Sequence, residues 1–175
     1  MESASELVYV VDDDERVREA LAALLRASGR DVQTFNSGEE FLDTQHQNVI
    51  ACLILDMRMP GMSGLEVQKL VSRDSQIPVI FITGRADVPS TVLAMKGGAI
   101  DFLTKPLDED ALMRVVDAAI ARAHVLRKEA EDTALLQALH QSLTPREQEL
   151  LPLLASGRLN KQAADTPCRY IAATS

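Results

Sequence analysis

One pattern constrains this chain more than any other: short, β-rich apolar runs alternate five times with stretches whose apolar residues recur at helical spacing. The first run is Leu7 to Val11 (LVYVV), unbroken by polar residues, as expected of a strand covered on both faces. Val17, Ala20, Leu21, Leu24 and Leu25 then follow an i, i+3, i+4, i+7, i+8 stripe that Gly29 closes. The alternation continues with a strand over 31–35 and a helix over 38–46, then a strand over 49–55 and a helix over 64–73. A strand over 78–82, a helix over 88–96, a strand over 99–103 and a helix starting near Asp108 complete it. Strands and helices in strict alternation make βαβ units with right-handed crossovers. The fold class is therefore α/β: a doubly wound, five-stranded parallel sheet with helices on both faces. About 120 residues suit one such domain.

Beyond Pro106 no Gly or Pro occurs before Pro145. Residues 108–142 can form one helix of about 35 residues, roughly 50 Å long at the α-helical rise, which would extend beyond the domain and could pair with a second copy. The alternative is a fifth helix ending near Arg122, followed by a charged linker. Both remain open on sequence grounds. The next segment opens with Thr144 as N-cap, Pro145 at the first helical position and Glu147 three residues after the cap, a capping box. Leu150, Leu151, Leu153 and Leu154 extend that helix to Gly157, with Pro152 placed to kink or end it. After Asn160 the periodicity is lost.

Composition narrows the function classes. The 175 residues carry a net charge of −8, and residues 1–123 account for all of it, with 20 acidic against 12 basic side chains. Neither part has the basic footprint of a nucleic-acid binder. With no Trp and 3% aromatic residues, aromatic stacking on single strands is also disfavoured. Cys52 and Cys168 stand alone, outside any CxxC or Cys/His spacing, so neither a disulfide scaffold nor a cysteine zinc site is expected. His46, His124 and His140 form no metal motif and read as surface residues. The longest apolar run, Val49 to Leu55, is far too short to span a bilayer, and the first residues lack the basic region of a signal peptide. The expected compartment is the cytoplasm, with no membrane partner.

In an open parallel α/β sheet, ligands bind beyond the carboxyl ends of the strands. Asp12, Asp13 and Asp14 follow the first strand, Asp56 the third, Thr83 the fourth, and Lys105 with Pro106 the fifth. Clustered carboxylates are costly without a compensating cation. Oxygen ligands without His or Cys select a hard ion, Mg2+ before Ca2+. Mg2+ accompanies phosphate, and Lys105 and Thr83 can meet phosphoryl oxygens. Asp56, alone on its strand, is the candidate to accept a phosphoryl group. Asp12 and Asp13 are the candidate metal ligands, whereas Asp14 can begin the next helix.

The segments VYVVDDD, LILDMRMPGMSG, PVIFITG and DFLTKPLD resemble the receiver domain of two-component response regulators, over about residues 5–123. The resemblance implies a flavodoxin-like fold with strand order 2-1-3-4-5. It also implies that Asp56 takes phosphate from the phosphohistidine of a sensor histidine kinase. By the same resemblance Asp12, Asp13, Asp56 and the backbone carbonyl of Arg58 bind Mg2+. Lys105 contacts the phosphoryl oxygens, Thr83 and Phe102 form the switch pair, and the bond to Pro106 is cis. The alternative for Phe102 is an ordinary core aromatic. The segment LTPREQELLPLLASGRLNKQ resembles the start of the LuxR-type helix–turn–helix of FixJ-like regulators.

The expected organisation is a receiver over 1–123, a helical linker over 124–142 and an incomplete, all-α helix–turn–helix segment over 143–175. A complete module needs about 30 further residues, including the helix that enters the major groove. The expectation is a truncated or frameshifted end, with promoter binding impaired although the family controls transcription. Such a chain is a signalling switch rather than an enzyme. Two other readings fit parts of the sequence. One is a receiver acting only through protein contact, as a homodimer through its receiver face or long helix. The other is a haloacid-dehalogenase-type phosphatase, for which Asp12-x-Asp14 would supply the nucleophile pattern.

Overall fold

The computed structural model describes residues 6–44, 49–74, 77–85, 87–144 and 146–149. Ten elements follow in strict alternation: β1 (Glu6–Val11), α1 (Glu15–Ala27), β2 (Asp31–Phe35), α2 (Gly38–Asp43), β3 (Ile50–Asp56), α3 (Gly64–Asp74), β4 (Val79–Thr83), α4 (Val88–Lys96), β5 (Asp101–Thr104) and α5 (Glu109–Ser142). All strand pairs are parallel, in the order β2-β1-β3-β4-β5. Two compact units divide within α5, at residues 128 and 129.

Alternate residues of the central strands feed two cores. Tyr9, Val11, Leu53, Leu55 and Phe81 pack with Phe41 of α2, Val67 and Val71 of α3 and Ala94 of α4. Val8, Val10, Cys52, Ile54, Ile80 and Ile82 face the other way. They meet Leu21 and Leu25 of α1 and Leu112, Val116 and Ile120 of α5. All seven residues of β3 are buried, which is why its sequence is an unbroken apolar run ending in a carboxylate. On one face Tyr9, Phe35 and Phe41 pack edge-on or tilted, with ring centroids 5.3–6.1 Å apart.

Element boundaries depart from expectation in small, explicable ways. β3 and β4 run one residue further, because the Met57 amide still bonds the Ile82 carbonyl at 2.9 Å. Asp56 and Thr83 are thus the last residues of their strands. β5 begins at Asp101 rather than Ala99, whose amide bonds back to the Ala94 carbonyl as part of the turn leaving α4. The second helix ends at Asp43, and 45–48 lie outside the described residues. α5 is one helix of 34 residues, so the version ending near Arg122 is not what forms. Its first half is anchored in the core, while Leu135, Leu136 and Leu139 are exposed. Thr144 and Glu147 cap each other as the sequence predicts: the Thr144 amide donates to Glu147 Oε2 at 2.8 Å, and the Glu147 amide to Thr144 Oγ1 at 3.4 Å. Pro145 and residues 150–175, with Pro152, Gly157 and Cys168, lie outside the described residues. Among the described residues no helix is long and apolar enough to cross a membrane.

Candidate functional site

Because β1 lies beside β3, the carboxyl end of one strand brings Asp12 next to Asp56 at the end of the other. Both carboxylates are buried, at 0% and 4% exposure. Lys105, just past β5, reaches across the edge: its Nζ lies 2.7 Å from Asp12 Oδ2 and 2.9 Å from Asp56 Oδ1. One ammonium thus joins acids 93 and 49 residues away in sequence. The Arg58 amide donates to Asp56 Oδ2 at 2.9 Å, and the Asp14 amide to Asp12 Oδ1 at 2.9 Å. Arg18 Nη1 donates to the Asp12 carbonyl at 2.6 Å, a contact no motif foretells. The peptide bond between Lys105 and Pro106 is cis.

Burial raises the Asp56 pKa, and the bonds from Lys105 and Arg58 only partly oppose it. For Lys105 burial works against the charged form. Its hydrogen bonds to Asp12 and Asp56, with their charge, outweigh that and raise its pKa. A buried carboxylate held against its preference for the neutral form is poised to gain from new electrostatic partners.

The other expected residues are placed as follows. Thr83 is buried at the end of β4, but its hydroxyl donates to the Arg85 carbonyl at 3.0 Å rather than to an acid of the cluster. Phe102 is half-buried on β5, beside Phe81 in register, and packs against the core under α2, α3 and α4. Asp13 is exposed and makes none of the hydrogen bonds that join the cluster. Asp14 caps α1, accepting from the Arg16 amide at 2.9 Å and the Val17 amide at 3.4 Å. Its Oδ1 thus serves the start of α1 and makes none of the bonds that join the cluster.

Mg2+ takes oxygen ligands and keeps several waters, so it needs one or two carboxylates rather than a full protein cage. Two buried carboxylates drawn to a single cation fit that demand. Among the described residues no three acidic, His or Cys side chains are grouped as a metal cluster. Sequence reasoning missed the tight packing behind Asp56. A Cβ on Gly64 would collide with the Asp56 carbonyl oxygen and lie 3.1 Å from Met57 Cα. The signal was present in the Pro60-Gly-Met-Ser-Gly64 run. A cavity of about 430 Å³ lined by Leu7, Arg26, Arg30 and Val32 lies at the amino end of β1 and β2, away from these acids.

Residues 8–117 match the response regulator receiver domain. The chain is 44% identical over 163 residues to nodulation protein W of Bradyrhizobium diazoefficiens, covering 93% of this chain and 72% of that protein. It is 45% identical over 165 residues to response regulator protein TmoT of Ectopseudomonas mendocina, covering 94% and 75%. Against the transcriptional regulatory protein FixJ of Bradyrhizobium diazoefficiens the identity is 37% over 158 residues, covering 90% and 77%. Among solved structures, response regulator StyR superposes with a TM-score of 0.79 at 45% identity, covering 93% of this chain and 82% of that one. FixJ-N superposes with a TM-score of 0.60 at 37% identity, covering 69% and 96%. These relatives are signalling proteins rather than enzymes, and the chain belongs to the response regulator receiver family.

Proposed function

We propose that Asp56 is the phosphoacceptor of a two-component switch that controls transcription. The observation that carries this reading is the ammonium of Lys105 held between Asp12 and Asp56 at the carboxyl edge of the sheet. An Asp56 oxygen attacks the phosphorus of a kinase phosphohistidine, the P–N bond breaks, and the leaving imidazole takes a proton. Asp12, Asp13, Asp56 and the Arg58 carbonyl would hold Mg2+, which when bound offsets the charge of the phosphoryl oxygens. The Lys105 ammonium, already within 2.9 Å of Asp56 Oδ1, would contact those oxygens as well. Phosphorylation turns one negative charge into nearly two and adds acceptor oxygens. Thr83 then leaves the Arg85 carbonyl for the phosphoryl group, and Phe102 turns into the space it leaves.

Labelling tests the chemistry. Acetyl phosphate with Mg2+ should label the wild-type protein, and Asp56→Asn should abolish the label. Label that survives Asp56→Asn and is lost in Asp12→Asn would overturn the assignment and favour a phosphatase.

The output we propose follows that of the relative FixJ, a transcriptional regulatory protein. Residues 124–142 serve as a helical linker, and 143–162 supply the start of a LuxR-type helix–turn–helix. Retardation of promoter DNA by the phosphorylated chain supports this output. No retardation leaves output through protein contact, for which the exposed Leu135, Leu136 and Leu139 favour a homodimer through α5. Sedimentation tests that dimer. The compartment consistent with this reading is the cytoplasm, shared with the kinase domain that supplies the phosphoryl group.

A further inference from the structure

Helix α4 buries only Ala94 among its nine residues, and Val88 and Leu93 are 76% and 57% exposed. Its position therefore depends on a few polar ties. At its carboxyl end the buried Gln68 donates from Nε2 to the Ala94 carbonyl at 3.0 Å. At its amino end Asp87 does two jobs with its two oxygens. Oδ1 caps the helix by accepting from the Ser90 amide at 2.9 Å, and Oδ2 accepts from Arg58 Nη2 at 2.9 Å. Arg58 in turn donates its own amide to Asp56. The N-cap of α4 is thus tied to the loop that follows the proposed phosphoacceptor.

The segment from β4 to α4 has a second tie, the Thr83 hydroxyl on the Arg85 carbonyl. If Thr83 turns toward a phosphoryl group on Asp56, that bond is lost and the backbone around Arg85 is freed to shift. Asp87 lies two residues further on, held by Arg58. The pair therefore restrains the segment that loss of the Thr83 tie would free.

We infer that the Arg58–Asp87 ion pair is a positioning device that holds α4 in its unphosphorylated setting and lowers the affinity of the site for a phosphoryl group. This rests on the phosphoacceptor reading of Asp56. A contact present in one state and absent in the other shifts the equilibrium by its own free energy and no more. Both side chains are substantially exposed, at 57% and 39%, so the effect is modest.

The test compares wild type, Arg58→Met, Asp87→Asn and the double variant. Asn keeps a capping oxygen while removing the charge. With beryllofluoride and Mg2+ as a non-covalent stand-in for the phosphoryl group, each single variant should bind about two- to fivefold more tightly, and the double no more tightly than either. Additive singles, or no change, overturn the inference. So does weaker binding by Arg58→Met with tighter binding by Asp87→Asn, which would mean that a freed Arg58 acts on the phosphoryl site itself. In the unliganded proteins, amide exchange at Thr91 to Ala94 should rise by the same factor in both singles. Unchanged exchange overturns the tether even if beryllofluoride does not bind. A wild type that binds no beryllofluoride counts instead against Asp56 as phosphoacceptor, and the exchange result alone then decides the tether.

Discussion

Lys105 sets the electrostatics of the carboxyl edge. Without it, Asp12 and Asp56 would face each other buried and uncompensated, so Lys105→Met should lower stability at pH 7 by about 2–3 kcal/mol, under the range for a fully buried pair because Lys105 keeps some exposure. The pKa of Lys105 is raised in the folded protein. Its contribution is therefore complete below the unfolded lysine value of about 10.4 and fades as pH rises through the higher folded value. Urea titrations of wild type and variant should converge at alkaline pH; a gap that persists there would refute the assignment. At this scale the sequence was informative about which side chains gather but not about their bonds. Asp12, Asp56 and Lys105 could be read from their places after strands. The turn of Thr83 toward Arg85, the capping role of Asp14 and the grip of Arg58 on Asp87 depend on rotamers chosen by neighbours distant in sequence.

Elements were legible wherever hydrophobic period and stop signals agreed. The predicted α4 matches its observed span, because Asp87 caps it, Pro89 sits in its first turn and Gly97 follows it. The ends of β3, β4 and β5 moved by one or two residues because strands end where inter-strand bonds end, a property of the pair rather than of either strand. Gln68 shows what a pattern cannot reveal. It looks like a surface position on α3, yet it is 2% exposed and holds the last turn of α4. A Cβ on Gly97 would come within 2.5 Å of its Oε1, so the glycine keeps room for this contact. Gln68→Ala should cost about 1–2 kcal/mol, measured by denaturant unfolding, through the lost buried bond. A change near zero would mean that the Ala94 carbonyl is fully satisfied by Ala99 alone.

Across the whole molecule, polar chemistry occupies both ends of the sheet for different purposes. At the amino end Glu6 Oε2 meets Arg30 at 3.0 Å and Glu6 Oε1 meets His124 at 3.0 Å, while Arg30 also pairs with Asp117. This network ties β1 and the turn before β2 to α5. His124, expected only as a surface residue, is half-exposed but engaged. The hydrogen bond from His124 lowers the Glu6 pKa, so its share of stability is present above the unfolded carboxylate value and lost as pH falls through the folded one. Arg30→Ala should lower stability by about 1 kcal/mol while leaving acetyl phosphate labelling unchanged, since the network lies opposite Asp56. Altered labelling would show that the two ends are coupled. By itself the sequence determined the alternation of elements, the two-faced core and the acids, hydroxyl and lysine at the strand ends, because each is a local pattern of period or position. Only the tertiary structure decided that one lysine joins Asp12 to Asp56 and that Arg58 holds the cap of α4. Those outcomes depend on strand order and side-chain packing among residues far apart in the chain, which no local pattern encodes.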